Sequence, residues 1–147
     1  MKLRYVKLKE NAFPPLKKRI YDAGIDFRVI DDVKWTQSQN GWFAIAYTGI
    51  ALEVPRGWYL ATAPRSSMLF NKKVVTFHSV IDTGYTGELT FLLHYLGDNN
   101  PPKIVRGDKV AQVVLIQTPI IHTEFDEVDE LPDYSDRGNQ GFGSSGR

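Results

Sequence analysis

The sequence predicts an all-β domain of barrel or jelly-roll type, and three observations predict it. Apolar residues fall in short alternating or compact runs, turn-forming residues cut those runs apart, and the aromatic content (seven Tyr, eight Phe, three Trp) suits a pleated, half-buried surface. In chain order the runs are residues 3–8, 43–47, 50–54, 58–63, 74–77, 89–96 and 110–116. Between them stand Gly49, Pro55-Arg56-Gly57, Gly84, Gly97-Asp98-Asn99-Asn100-Pro101-Pro102 and Arg106-Gly107-Asp108, all turn chemistry. The one exception is Ser66-Ser67-Met68-Leu69-Phe70-Asn71-Lys72 after Pro64. It reads as a short helix whose start a serine can cap.

A chain of 147 residues suits a single domain, and 42% hydrophobic with 24% charged residues is the balance of a chain that folds. A formal net charge of +1 gives no pull toward nucleic acid or anionic membranes, so direct nucleic-acid binding is not expected. The absence of cysteine excludes disulfides, Cys-based zinc sites, iron–sulfur ligation and thiol nucleophiles. No run is long enough to span a membrane, and no apolar signal region follows the start, so a cytoplasmic location is expected. Charge is nonetheless uneven. Residues 2–19 hold seven basic residues and one acidic, and residues 124–136 hold seven acidic and no basic. Both read as solvated surface segments. Residues 1–136 are expected to form the β domain. Residues 137–147 are too glycine-rich to pack alone and read as a flexible arm.

Five segments can carry chemistry. Ala23-Gly24-Ile25-Asp26-Phe27-Arg28 holds a glycine–carboxylate pair that reads equally as a strand-entry turn. Pro64-Arg65-Ser66-Ser67 offers an arginine, two hydroxyls and helix-start amides to a phosphate, or is simply a capped helix start. Val80-Ile81-Asp82-Thr83-Gly84-Tyr85-Thr86-Gly87-Glu88 reads as a bulged hairpin turn. Asp82 there either accepts a proton from water or forms the turn, and Tyr85 is an aromatic platform or a cross-strand partner. Arg106-Gly107-Asp108 turns the chain into the strand that carries Gln112, which faces solvent or a ligand. The terminal arm holds Arg137, Ser144 and Ser145, which can grip phosphate, and Phe142, which can cover a flat ring; a plain tail is the alternative. Its glycine spacing is not a Walker-type loop, because Ser144 stands where the lysine would be. His78, His94 and His122 have no metal-ligand spacing.

In this order and spacing, the five segments resemble the five motifs of the trimeric dUTP pyrophosphatases (dUTPases), from Ala23 to Gly146. Thr48-Gly49-Ile50-Ala51-Leu52-Glu53-Val54-Pro55-Arg56-Gly57 is typical of that family as well. The resemblance implies a jelly-roll-like or distorted β-barrel subunit of a homotrimer, with active sites between subunits. It implies hydrolysis of dUTP to dUMP and pyrophosphate with Mg2+ on the triphosphate, which keeps uracil out of DNA and supplies dUMP for thymidylate synthesis. Asp82 would be the general base. Main-chain groups from Ser79 through Ile81 to Tyr85 would read uracil, with Tyr85 packed on the deoxyribose. Ser66, Ser67 and Gln112 would hold the α- and β-phosphates, supported by Arg65. Asp26 would act near the metal through its water shell. The arm would close a neighbouring subunit's site, with Phe142 on the uracil and Arg137, Gly143, Ser144 and Ser145 around the γ-phosphate.

The sequence departs from the family pattern at Ser67 and Ser79, where glycine is usual, and at Thr86, where arginine is frequent. It also carries a polar insert, residues 31–41, to which the resemblance gives no role. The related dCTP deaminases share the Arg-Ser-Ser segment but use a glutamate where this chain has Leu92, which cannot shuttle protons. A second rival is a non-catalytic signalling or interaction protein on the same scaffold, with the insert or residues 124–136 as its partner surface. Intact Asp82, Tyr85, Arg137 and Phe142 argue against lost catalysis and leave an added protein partner open.

Overall fold

A computed structural model of the chain describes residues 2–119 and 124–130. Ten strands and one helix follow one another as β1 (Tyr5–Lys7), β2 (Gly24–Arg28), β3 (Thr36–Ser38), β4 (Gly41–Tyr47), β5 (Ile50–Leu52), β6 (Trp58–Pro64), α1 (Ser66–Lys72), β7 (Val74–Thr76), β8 (Val80–Ile81), β9 (Thr90–Tyr95) and β10 (Lys109–Gln117). Two four-stranded antiparallel sheets, ordered β2-β10-β6-β8 and β3-β4-β9-β7, are joined by a β1-β5 ribbon. The expected all-β, jelly-roll-like class is what is seen. The sheets are open, and the described strands form no closed barrel.

Strand alternation builds the core. On β4, Ala44 and Ala46 are buried while Ile45 and Tyr47 are exposed; on β9, Phe91 and Leu93 are buried while Leu92 is exposed. Phe27 of β2 meets Phe91 of β9 with ring centroids 5.7 Å apart, so the two sheets pack face to face. Leu60, Val110 and Val113 fill the same layer, and burying each such side chain contributes about 1.5–3 kcal/mol. At the ribbon's end Arg4 Nη2 donates to Glu53 at 2.6 Å. That hydrogen bond holds the Glu53 carboxyl below its usual range.

Three expectations change, and the insert, for which none was made, takes a defined form. Gly24-Ile25-Asp26-Phe27-Arg28 is a full strand and not a turn, because β10 pairs along its whole length. The insert forms a hairpin: β3 pairs with β4 in register Thr36↔Phe43 and Ser38↔Gly41. No serine caps α1. Arg65 is the capping residue, in extended conformation with no side-chain cap bond, while its carbonyl accepts from the Met68 and Leu69 amides. Finally, no ladder joins the two sides of the Asp82 turn. β8 pairs with β6, whereas β9 pairs with β4 and β7, so residues 82–89 cross from one sheet to the other.

Candidate active site

Asp26 on β2, Gln112 on β10 and Ala63 on β6 lie side by side across three strands. Where β6 ends, Arg65 returns over this row. Its Nε donates to Asp26 Oδ1 at 2.8 Å, and its Nη1 donates to the Lys109 carbonyl at 3.0 Å. The other carboxylate oxygen accepts from Lys109 Nζ at 2.9 Å. A register shift between Lys109 and Ala111, with two residues of β10 set against one of β2, accompanies that arrangement. Gln112 Nε2 donates to the Pro64 carbonyl at 3.0 Å. Its side chain lies across Gly24, where a Cβ would stand 2.0 Å from Gln112 Oε1, so a larger residue there would displace the end of the glutamine side chain. Gly24, Asp26, Arg65 and Gln112, with Lys18, Asp22, Ser66 and Ser67, line a cavity of 350 Å³, and Lys109 is not part of its wall. Neither serine hydroxyl is hydrogen-bonded within the described residues, and both are exposed. Two cations around one carboxylate, two open hydroxyls and an amide suit an anion rich in oxygen acceptors.

A second cavity, of 420 Å³, is lined by Ser79, Ile81, Asp82, Tyr85 and Glu88, among others. It lies off the opposite edge of β6 and shares no lining residue with the first. Asp82 begins the turn after β8, which the Tyr85 amide closes on the Asp82 carbonyl at 3.3 Å. Thr83 Oγ1 lies 3.0 Å from the carbonyl oxygens of both Pro55 and Trp58, which ties the turn to the loop before β6. The Asp82 side chain is exposed and has no hydrogen-bond partner among the described residues, so it is open to water. The Tyr85 hydroxyl donates to the Glu88 carbonyl at 3.0 Å, and the Glu88 carboxylate accepts from the Gly49 amide at 2.6 Å. Tyr85 thereby folds over Gly87, where a Cβ would meet its Oη at 2.5 Å.

Sequence-predicted residues are thus gathered into two groups, Asp26, Arg65, Ser66, Ser67 and Gln112 in one and Ser79, Ile81, Asp82 and Tyr85 in the other. Arg137, Phe142, Gly143, Ser144 and Ser145 lie outside the described residues. The Ser79 main-chain N–H donates to the Thr62 hydroxyl and its C=O accepts from the Thr62 amide. Lys109 and Thr62 were missed from sequence, and the roles of Gly24 and Gly87, both within quoted segments, were not read. A glycine two residues before the carboxylate was the one available signal. Among the described residues no cluster of three or more His, Asp or Glu could hold a metal, and His94 is stacked on Phe43 at 4.5 Å. Leu92, exposed on the outer face of β9, puts no carboxylate at the position a deaminase needs. A larger cavity, of 790 Å³, lies elsewhere and involves Asp31, Lys34 and Thr36 of the insert with Ile45 and Leu92. No described helix is long and apolar enough to cross a membrane.

The dUTPase family model matches residues 10–146. The deoxyuridine 5'-triphosphate nucleotidohydrolase of Gloeothece citriformis is 34% identical over 99% of this chain and 97% of its own. Among solved structures, the dUTPase of Staphylococcus bacteriophage 80alpha with dUpNHpp superposes with a TM-score of 0.80 at 25% identity, over 99% of both chains. The dUTPase of S. aureus phage phi11, in which coordination of a structural Mg(II) ion is described, gives 0.73 at 25% identity over 90% of this chain and 100% of its own.

Proposed function

Since the chain belongs to the dUTPase family and is a dUTP diphosphatase that hydrolyses dUTP to dUMP, we propose how its residues divide that reaction. Asp82 takes a proton from a water molecule as that water's oxygen attacks the α-phosphorus. The new P–O bond forms, the bond from the α-phosphorus to the α,β-bridging oxygen breaks, and pyrophosphate leaves with the bridging electrons. The cavity with Asp82 and Tyr85 takes the base and sugar: main-chain groups of residues 80–85 read uracil, and the Tyr85 ring leaves no room for a 2′-hydroxyl. The cavity with Ser66, Ser67 and Gln112 takes the phosphates, with Arg65 fixed by Asp26 as its charged floor.

One observation carries this division: the base-type and phosphate-type cavities on a single chain share no residue. A nucleotide needs both at once, so a complete site joins the phosphate cavity of one chain to the base cavity of another. That supports an oligomer with its sites between chains, and the homotrimer implied by the family resemblance is such an assembly. The terminal arm, with Arg137, Phe142, Gly143, Ser144 and Ser145, closes the site over γ-phosphate and uracil.

Mg2+ fits as a companion of the triphosphate and not as a protein-held ion. Both oxygens of Asp26 already accept from cations and keep a lone pair each, which suits a water of the ion's shell. When bound with the triphosphate, Mg2+ would supply positive charge against the phosphate oxygens, with Asp26 able to hold a water of its shell. A cytoplasmic location accords with a nucleotide-pool enzyme. Pyrophosphate release from dUTP, dTTP, dCTP and UTP tests the reading, which requires strong preference for dUTP; comparable kcat/KM for dTTP would overturn it.

A further inference from the structure

Between β7 and β8 the chain changes sheets. Thr76 belongs to one four-stranded sheet and Val80 to the other, so residues 77–79 are a link with incomplete ladder partners. The Phe77 amide donates to the Leu92 carbonyl of β9 at 3.1 Å, and one residue on β6 bonds all three residues of the link. Thr62 is 3% exposed and is bonded to three successive residues. Its Oγ1 donates to the Phe77 carbonyl at 2.8 Å and accepts from the Ser79 amide at 2.6 Å. Its amide donates to the Ser79 carbonyl at 3.0 Å. Its carbonyl lies 3.0 Å from His78 Nδ1, and since a carbonyl only accepts, that ring nitrogen carries the proton.

This is not a ladder that any β-former would make. In a regular antiparallel pair the Ser79 amide would donate to the Thr62 carbonyl. Here the hydroxyl takes that donor and the carbonyl serves the histidine. Valine has the shape and strand preference of threonine but neither the donor nor the acceptor. At this position it would leave the Ser79 amide and the Phe77 carbonyl without partners. Ser79 is also the first residue of the 420 Å³ cavity wall that continues through Ile81 to Asp82.

We propose that Thr62 is a positioning residue for base selection: by clamping Phe77, His78 and Ser79 it sets where the Ser79-to-Asp82 wall stands, and hence whether a pyrimidine with a 5-methyl group is refused. The proposal rests on that cavity's being the base site. Thr62 touches no substrate; it acts through Ser79.

The test compares kcat/KM for dUTP and dTTP, together with the melting temperature, in the unmutated enzyme, Thr62→Val and Thr62→Ser. In Thr62→Val the dUTP-over-dTTP ratio falls about tenfold, the scale of one methyl-sized discrimination, with the loss for dUTP chiefly in KM. Thr62→Ser keeps the hydroxyl and the ratio. A merely structural threonine would lower the melting temperature and both substrates' rates while leaving the ratio unchanged, and that result overturns the proposal. If Thr62→Val does not fold, Thr62→Cys, of similar volume with weaker bonds, is judged by the same ratio. An unmutated enzyme that accepts dTTP as readily as dUTP would overturn the base-site reading and this proposal with it. Preference in the unmutated enzyme with an unchanged ratio in the variant would overturn this proposal alone.

Discussion

Arg65 Nε donates to Asp26 Oδ1 at 2.8 Å, across 39 residues of sequence, with both side chains largely buried. Lys109 Nζ occupies the other oxygen, so one carboxylate holds two cations, of which Arg65 lines the phosphate cavity. Asp26 is therefore an organiser of positive charge before it is anything to a metal.

Replacing Asp26 with Ala should lower stability as well as activity. Two charge-assisted hydrogen bonds are lost and two partly buried cations left facing each other, a loss of about 2–4 kcal/mol. Urea unfolding at neutral pH measures it, and a variant as stable as the unmutated protein would show that the pair is solvent-screened.

Gly24→Ala should act through Gln112. The added Cβ would lie 2.0 Å from Gln112 Oε1, so the glutamine must leave the Pro64 carbonyl and the cavity. Activity should fall at least about tenfold, the worth of one misplaced phosphate contact. The double variant with Gln112→Ala should regain stability but no activity. Full activity in Gly24→Ala would remove Gln112 from the site.

The strands were legible because alternation and turn residues act locally: Ala44/Ile45/Ala46/Tyr47 announces its buried and exposed faces in the sequence itself. The site's composition was legible in the same way, through motif order around Asp26, Arg65, Asp82 and Gln112. What sequence could not reveal depends on contacts far apart in the chain. Lys109 reaches Asp26 across 83 residues, and Thr62 meets Ser79 across 17, with nothing in either segment to signal the other. The β3 hairpin escaped notice because its strand is polar and exposed, without the alternation that reveals a buried face. The capping error at α1 has a similar cause. Two adjacent serines satisfy the cap preference, but β6 runs through Pro64 and leaves Arg65 as the last extended residue.

If complete sites join two chains, inactive variants should rescue each other. Asp82→Asn and Arg65→Ala are each expected to be nearly inactive alone. Unfolded together and refolded at equal ratio, they should regain about a quarter of normal activity, the share of interfaces that pair two intact halves at random. No recovery, with mixed oligomers shown by mass spectrometry, would place both halves of a site on one chain.

Removing residues 137–147 should leave the melting temperature near that of the full chain while turnover falls by about 10² or more, as expected for loss of closure over the phosphates. Near-normal kcat/KM after truncation would reduce the arm to a tail.

The most direct measurement is kcat of Asp82→Asn set against binding of the dUTP analogue dUpNHpp by the same variant. Asparagine keeps the size of the side chain but cannot accept a proton at neutral pH. The Asp82 side chain is exposed and makes no hydrogen bond among the described residues, so the substitution breaks no bond of the fold there. The account predicts that kcat falls by about 10²–10⁴, the usual worth of general-base catalysis. Analogue binding should stay within a few-fold, and melting should be unchanged. A normal kcat in Asp82→Asn would contradict it.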